Sequence, residues 1–489
     1  VASVIRPGRP AVDDPVSPDR VDLAADAMEA SGPIEDERCP PGKPRVLFVA
    51  IVNNVGCERV VVDMAQHGAL CALISPPDFY AASVSGLTRH IPLPSFSSVW
   101  LTSLFVRRRL EQVVRDWSPE LIVPLDDIAA WLLRSLVATR QLSAGAREIL
   151  VRSLGAPHGY RTATSRHLLM ELAARLGLRK PHHAAVTGAF ADEDPSDDDW
   201  SFPLFLKTEH TCGGFGVEVV QDRSQFAQRV AAQRRGGSGI RRLASTAKHA
   251  LQRAAGFDLW ASADMIAQTH AVGRPAFRTV STWQGRVLAG VSFVAEQIHP
   301  EPTGASTVIR HVENQEMAET AAALTEALGC SGFVSFDFML NTEDETATLI
   351  EMNPRCVGSC HLGQLFGQDL AGALMSEVSG RQHTLSAESA DEQLIALFPK
   401  ELDRDPKSFY LSSSAVRHDV PSAEPALGAA HERDLVARHP ADARLIRRHI
   451  SQGPVDRPSP EAQRGHYTSA SHLTGEFVCN ASGSSGRDR

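Results

Sequence analysis

The segments Gly332-Phe333-Val334-Ser335-Phe336-Asp337-Phe338 and Leu349-Ile350-Glu351-Met352-Asn353-Pro354-Arg355 decide the reading of this chain. Both are apolar runs of strand type, and Asn341-Thr342-Glu343-Asp344-Glu345 between them is polar turn material. A hairpin over this span brings Asp337 beside Glu351, and the two-residue step from Glu351 to Asn353 puts both side chains on one strand face. Two carboxylates and an amide carbonyl, with Arg355 just beyond, form a hard oxygen set suited to Mg²⁺ carrying a nucleoside triphosphate. The competing reading is a surface hairpin with scattered acids. The strongly apolar flanks oppose it, because acids entering a buried sheet usually carry a cation or a partner.

Upstream, Phe202-Pro203-Leu204-Phe205-Leu206-Lys207 is an apolar strand ending in a lysine, and Gly213-Gly214-Phe215-Gly216-Val217 opens a second strand through Val220. Such a unit can fold flexible backbone over phosphates, donating N–H groups while the ammonium takes up charge. It is not a Walker A loop, because the Gly-Lys-Ser/Thr order is absent. Read alone, the segment is better taken as a hairpin with a glycine-rich turn; its order ahead of the acidic hairpin favours the phosphate reading.

In this order the segments resemble the ATP-grasp superfamily of ATP-dependent carboxylate–amine ligases, in its bacterial ligase branch. The resemblance rests on Lys207 with Gly213, Gly214 and Gly216, on Asp337, and on Glu351-Met352-Asn353-Pro354-Arg355. The Asp337 to Glu351 spacing resembles that in the halves of carbamoyl phosphate synthetase. Coverage runs from about Pro44 to Pro425. The resemblance implies an α/β and α+β chain, with an N-terminal Rossmann-like pre-ATP-grasp domain followed by a two-subdomain ATP-grasp fold. It also implies ATP and one or two Mg²⁺ ions as cofactors, with Mn²⁺ as a substitute. Asp337, Glu351 and Asn353 would hold the metal, and Lys207 the α/β-phosphates. Arg166, where the family usually has a lysine or arginine at a helix start, would contact the triphosphate. Backbone groups of Gln268, Thr269 and His270 would read the adenine, and Arg355 with Arg310 would stabilise the transferred phosphoryl and the acyl oxyanion. The family's ribose-binding glutamate has no counterpart in Arg274-Pro275-Ala276.

The implied reaction activates a carboxylate as an acyl phosphate, which an amine then attacks to form an amide or peptide bond. An ATP-grasp kinase, a carboxylate–thiol ligase and a non-catalytic nucleotide-binding regulator are the alternatives. The loop Cys356 to Gly363 follows Arg355, so His361 is a candidate to orient the acyl or amine substrate, against the reading of a packed loop residue.

Composition bounds the rest. At 489 residues and 43% hydrophobic, the chain supports two or three folded domains. A net charge of −9 argues against nucleic-acid or anionic-membrane surfaces. The partners expected are a small carboxylate and an amine, such as amino acids; a homodimer is compatible with the sequence, which does not report oligomeric state. The basic run from Arg234 to Arg253 reads as a solvated helix face or as a lid over phosphate. Cysteines 39, 57, 71, 212, 330, 356, 360 and 479 lack a Cys-x-x-Cys pair, and no signal peptide or membrane-length apolar run stands out, so reduced thiols and a cytoplasmic location are expected. Cys356, Cys360 and His361 are better suited to packing or substrate lining than to zinc.

Val1 to about Lys43 reads as a disordered arm. From Arg45 to Leu125, strands and helices alternate as in a doubly wound domain, 44–155. No Gly-x-Gly-x-x-Gly follows the first strand, so a nicotinamide role finds no support. Asp126 and Asp127 lie at the carboxyl end of Leu121–Leu125, where they could meet a ligand or cap the next helix. The nucleotide domain spans 156–425, with a lid near 204–271, and residues 426–489 read as a mostly disordered extension.

Overall fold

A computed structural model describes residues 43–94, 99–187, 200–211, 216–235, 265–301, 304–381 and 394–452. These belong to one compact unit.

The apolar run Arg45–Val49 forms β1, flanked in parallel by β2 (Leu70–Ser75) and by β4 (Leu121–Pro124), with β3 (Leu87–Pro92) outside β2. The sheet order is β3-β2-β1-β4, and helices α1 (Glu58–Gln66), α2 (Val99–Trp117), α3 (Asp127–Ala138) and α4 (Ala144–Leu154) cover it. A parallel strand buried on both faces needs an unbroken apolar run, which β1 provides. Its Val46 and Phe48 enter one core with Phe293, Ile309 and Leu362, whereas Leu47 and Val49 enter another with α2, α3 and α4. Asp126 caps α3: Oδ1 accepts from Ala129 N at 2.9 Å, and Oδ2 accepts from Ile51 N at 2.7 Å.

After α5 (Arg166–Arg175), a small antiparallel sheet runs β5-β8-β6-β7, made of β5 (His183–Thr187), β6 (Leu204–Thr208), β7 (Val217–Val220) and β8 (Met265–Thr269). β5 thus joins the strands expected in the lid, and α6 (Arg223–Arg235) packs against them. Gly216, at φ +72, takes a left-handed conformation that suits glycine, and its carbonyl accepts from Thr208 N at 2.8 Å, closing the turn. Gly213, Gly214 and most of the basic run Arg234–Arg253 lie outside the described residues.

The large sheet is β13-β12-β9-β10-β11-β14-β15, from β9 (Arg274–Trp283), β10 (Arg286–His299), β11 (Ala305–Val312), β12 (Gly332–Leu340), β13 (Ala347–Asn353), β14 (Leu394–Ala396) and β15 (Val416–His418). It is antiparallel except for the β14–β15 pair. Helix α7 (Gln315–Leu328) and α5 cover one face through Leu169, Met317, Leu324, Phe336 and Phe338. The other face shares its core with β1 and with α8 (Leu370–Ser379).

The expected disordered extension is folded at its start. Residues 425–452 form α9 (Pro425–Arg438) and α10 (Ala443–Gln452), with Leu427, Leu435 and Ile446 fully buried. His431 Nε2 lies 3.1 Å from Glu58 Oε1 of α1, and its ring stacks on Tyr80. Arginines and acids interspersed among the apolar positions of this segment hid its apolar stripe. The arm before residue 43 and the chain beyond 452 lie outside the described residues. Among the described residues no helix is long and apolar enough to cross a membrane.

Candidate active site

The hairpin forms as its alternation requires: Asp337 is the direct register partner of Glu351, and Ser335 that of Asn353. Asn353 Nδ2 donates to Asp337 Oδ2 at 3.0 Å. Burial, and then the neighbouring Glu351 carboxylate, push the Asp337 pKa up to about 7. Two acids so placed repel unless a cation lies between them. The donors here are the Asp337 and Glu351 carboxylates and the Asn353 amide oxygen, a hard set that fits Mg²⁺.

Lys207, the penultimate residue of β6, is buried within electrostatic reach of these acids. Burial lowers its pKa to about 8, with Glu351 acting in the opposite direction. Arg166 opens α5 behind the Ser165 cap, whose Oγ accepts from Leu168 N at 3.3 Å. Its guanidinium donates to Glu351 Oε1 at 2.8 Å, to Thr208 O at 2.7 Å and to Thr211 O at 2.6 Å. Glu209 explains why an arginine is tolerated at a helix N-terminus. It accepts from Arg166 N at 3.1 Å and from His167 N at 2.9 Å, supplying the negative charge that the helix dipole favours there.

Arg355 leaves β13 toward the N-terminal unit, where Asp127 of α3 receives it through two bonds, Nε to Oδ1 at 2.7 Å and Nη2 to Oδ2 at 2.8 Å. Burial opposes the guanidinium charge, but the Asp127 carboxylate outweighs it and the pKa rises. Of the two aspartates, Asp126 therefore caps and Asp127 holds Arg355. The cleft beside this pair is lined by Asp127, Trp131, Arg166, His210, Glu351 and Asn353. Trp131 and His210 face each other with ring centroids 5.6 Å apart. Both His210 nitrogens are buried without a hydrogen-bond partner, and burial, then Arg166, lower its pKa to about 4. Glu209 and His210 sit between Lys207 and the glycine loop, a position that was the one available signal; Trp131 gave none.

In the small sheet, Gln268 pairs with Phe205 and His183, and its Nε2 is buried without a partner. Thr269 N is already given to His182 O at 2.9 Å, and the exposed His270 stacks on Phe205. Gln268 therefore has a donor left for a ligand, whereas the Thr269 N–H is spent within the sheet.

Two candidates lie elsewhere. Arg310 shares a register row with Val294, Ala276 and Phe338, whereas Asp337 aligns with Phe277, Phe293 and His311. Side chains of adjacent rows point to opposite sheet faces, and Arg310 Nε donates instead to Glu296 at 2.8 Å. His361 is 8% exposed, with Nε2 2.9 Å from Asp419 Oδ1, so it packs between the loop and β15 rather than lining the cleft. Cys356 and Cys360 are buried thiols of the shared core. Gly56, at φ +91, explains the tight approach of this loop: a Cβ there would stand 2.8 Å from the Gly358 Cα.

Residues 280–359, which contain Asp337, Glu351, Asn353 and Arg355, match the family model of the ATP-grasp domain. The chain contains an ATP-grasp domain. Among solved structures, N5-carboxyaminoimidazole synthetase from Staphylococcus aureus complexed with ADP is 12% identical at a TM-score of 0.50, over 74% of this chain and 84% of that one. L-amino acid ligase from Bacillus licheniformis is 17% identical at a TM-score of 0.45, covering 69% and 75%. The biotin carboxylase domain of the Hydrogenobacter thermophilus 2-oxoglutarate carboxylase is 12% identical at 0.49, covering 71% and 73%. No curated protein matches the sequence. At 12% identity, the likeness to the Staphylococcus aureus structure is one of fold alone.

Proposed function

We propose that this chain is an ATP- and Mg²⁺-dependent ligase that activates a small carboxylate as an acyl phosphate and joins it to an amine. The observation that carries the reading is the convergence of Asp337, Glu351 and Asn353 with Lys207 and Arg166 around one point. Asp337, Glu351 and Asn353 would hold Mg²⁺, whose chemistry there is to neutralise charge on the β- and γ-phosphates. Lys207 and Arg166 bind the remaining phosphate charge, Arg166 being held by the Thr208 and Thr211 carbonyls. Gln268 offers its unpaired amide to the adenine edge.

The substrate carboxylate attacks the γ-phosphorus and ADP leaves; the amine then attacks the acyl carbon and phosphate leaves. Arg355 is oriented by Asp127, and its proposed role is to stabilise charge that develops on the transferred group. This chemistry requires no protein nucleophile, and a closing lid would keep water from the acyl phosphate. The substrates proposed are amino acids or similar small molecules. The test is ADP release from the purified chain across a panel of carboxylates and amines. Release that needs both partners supports the ligase; release with a carboxylate alone, forming a stable phosphorylated product, replaces it with a kinase.

A further inference from the structure

A second ligand set comes together where α5 meets β5. His167 and Glu171 are four residues apart and so share one face of the helix. His183, the first residue of β5, faces them, with its ring centroid 5.6 Å from that of His167. One donor atom from each of the three lies within 4.8 Å of the others. We infer that His167, Glu171 and His183 form a binding site for a divalent transition-metal ion of the zinc class, distinct from the oxygen cluster at Asp337.

Three features carry this. His183 is 8% exposed, and its Nε2 stands 3.1 Å from Glu171 Oε1 without the geometry of a hydrogen bond. A buried ring nitrogen aimed at a carboxylate it does not bond is the arrangement expected of two ligands directed at a third body. The donors, two imidazoles and one carboxylate, suit Zn²⁺ or Co²⁺, with water completing a tetrahedron, whereas Mg²⁺ prefers oxygen alone. Donors around a tetrahedral zinc stand about 3.3 Å apart, so the cluster must close slightly. Glu171 is 46% exposed and can supply that movement and an entry path.

One contact acts against the ion. Lys180 Nζ lies 3.2 Å from His183 Nδ1. A metal on Nε2 requires the ring proton on Nδ1, so the flexible lysine must swing away. The position gives the site a consequence, since α5 starts at Arg166 and His183 is the register partner of Gln268. An ion here would tie α5, which bears Arg166, to β5, the strand paired with the one that bears Gln268.

The experiment is a Co²⁺ titration of the full chain in excess Mg²⁺ and without nucleotide, followed by the visible absorption of four-coordinate cobalt and its displacement by Zn²⁺. One equivalent should bind. Glu171→Gln and His167→Gln, both at partly exposed positions, should weaken binding at least about 10-fold, the scale that loss of even an outer-shell partner reaches. Lys180→Met should tighten it, and Asp337→Asn should leave it unchanged. Absence of the band, its persistence in both Glu171→Gln and His167→Gln, or its loss in Asp337→Asn would overturn the assignment.

Discussion

Asp337 and Lys207 are displaced from their ordinary pKa values in opposite directions, to about 7 and about 8, by the same burial. Folding raises the pKa of Asp337, so between its ordinary value and about 7 the folded chain holds the extra proton. Without metal, stability therefore falls as pH climbs through that window. Lys207 acts in reverse: from about 8 up to its ordinary value the unfolded chain holds the extra proton, and stability rises with pH. On the proposed reading, Mg²⁺ binding should release a proton near pH 7 as the ion displaces it from Asp337. Nucleotide binding should take one up near pH 8 as phosphate recharges Lys207. Calorimetry in buffers of different ionisation enthalpy measures both, and binding without proton exchange would show these residues to be remote from the ligands. Asp337→Asn or Glu351→Gln should lower ADP release by about 10²-fold or more, the scale of a lost electrostatic stabiliser. Normal circular dichroism with turnover intact would remove them from the metal shell.

At the scale of elements, the hairpin was legible because Asp337, Glu351 and Asn353 lie within 17 residues and strand periodicity alone fixes their faces. Lys207 and Arg166 were legible as the ends of well-marked elements. What stayed hidden were pairings between distant elements. No local pattern tells that Asp127 receives Arg355, that Asp419 receives His361, or that Arg310 turns to Glu296. The His361 pair makes its own prediction. His361→Ala removes the hydrogen-bonded partner of the buried Asp419, leaving Arg59 3.4 Å away, and should cost about 1–3 kcal/mol of stability. Thermal melting should register that loss while the KM for every substrate stays near normal. A raised KM with unchanged stability would restore His361 to the substrate wall.

Across the whole molecule, the least legible part was 425–452, where sparse apolar positions are spaced for one helix face amid arginine and aspartate. Because Leu427, Leu435 and Ile446 are buried and His431 meets Glu58 of α1, a chain ending at Ser422 should lose several kcal/mol. A melting temperature unchanged by that truncation would mean these helices only rest on the surface.

β1 divides its side chains between two cores, Val46 and Phe48 toward the large sheet, Leu47 and Val49 toward the helices of its own unit. Five residues thus act as the rivet through which the first part of the chain and the later sheet share their melting. Although the strands of the N-terminal unit read as an independent module, that module made alone would lose the side of this core that Phe293, Ile309, Leu362 and Leu374 supply. Calorimetry of the intact protein should show one endotherm for both halves, and the isolated fragment 43–155 should aggregate rather than fold.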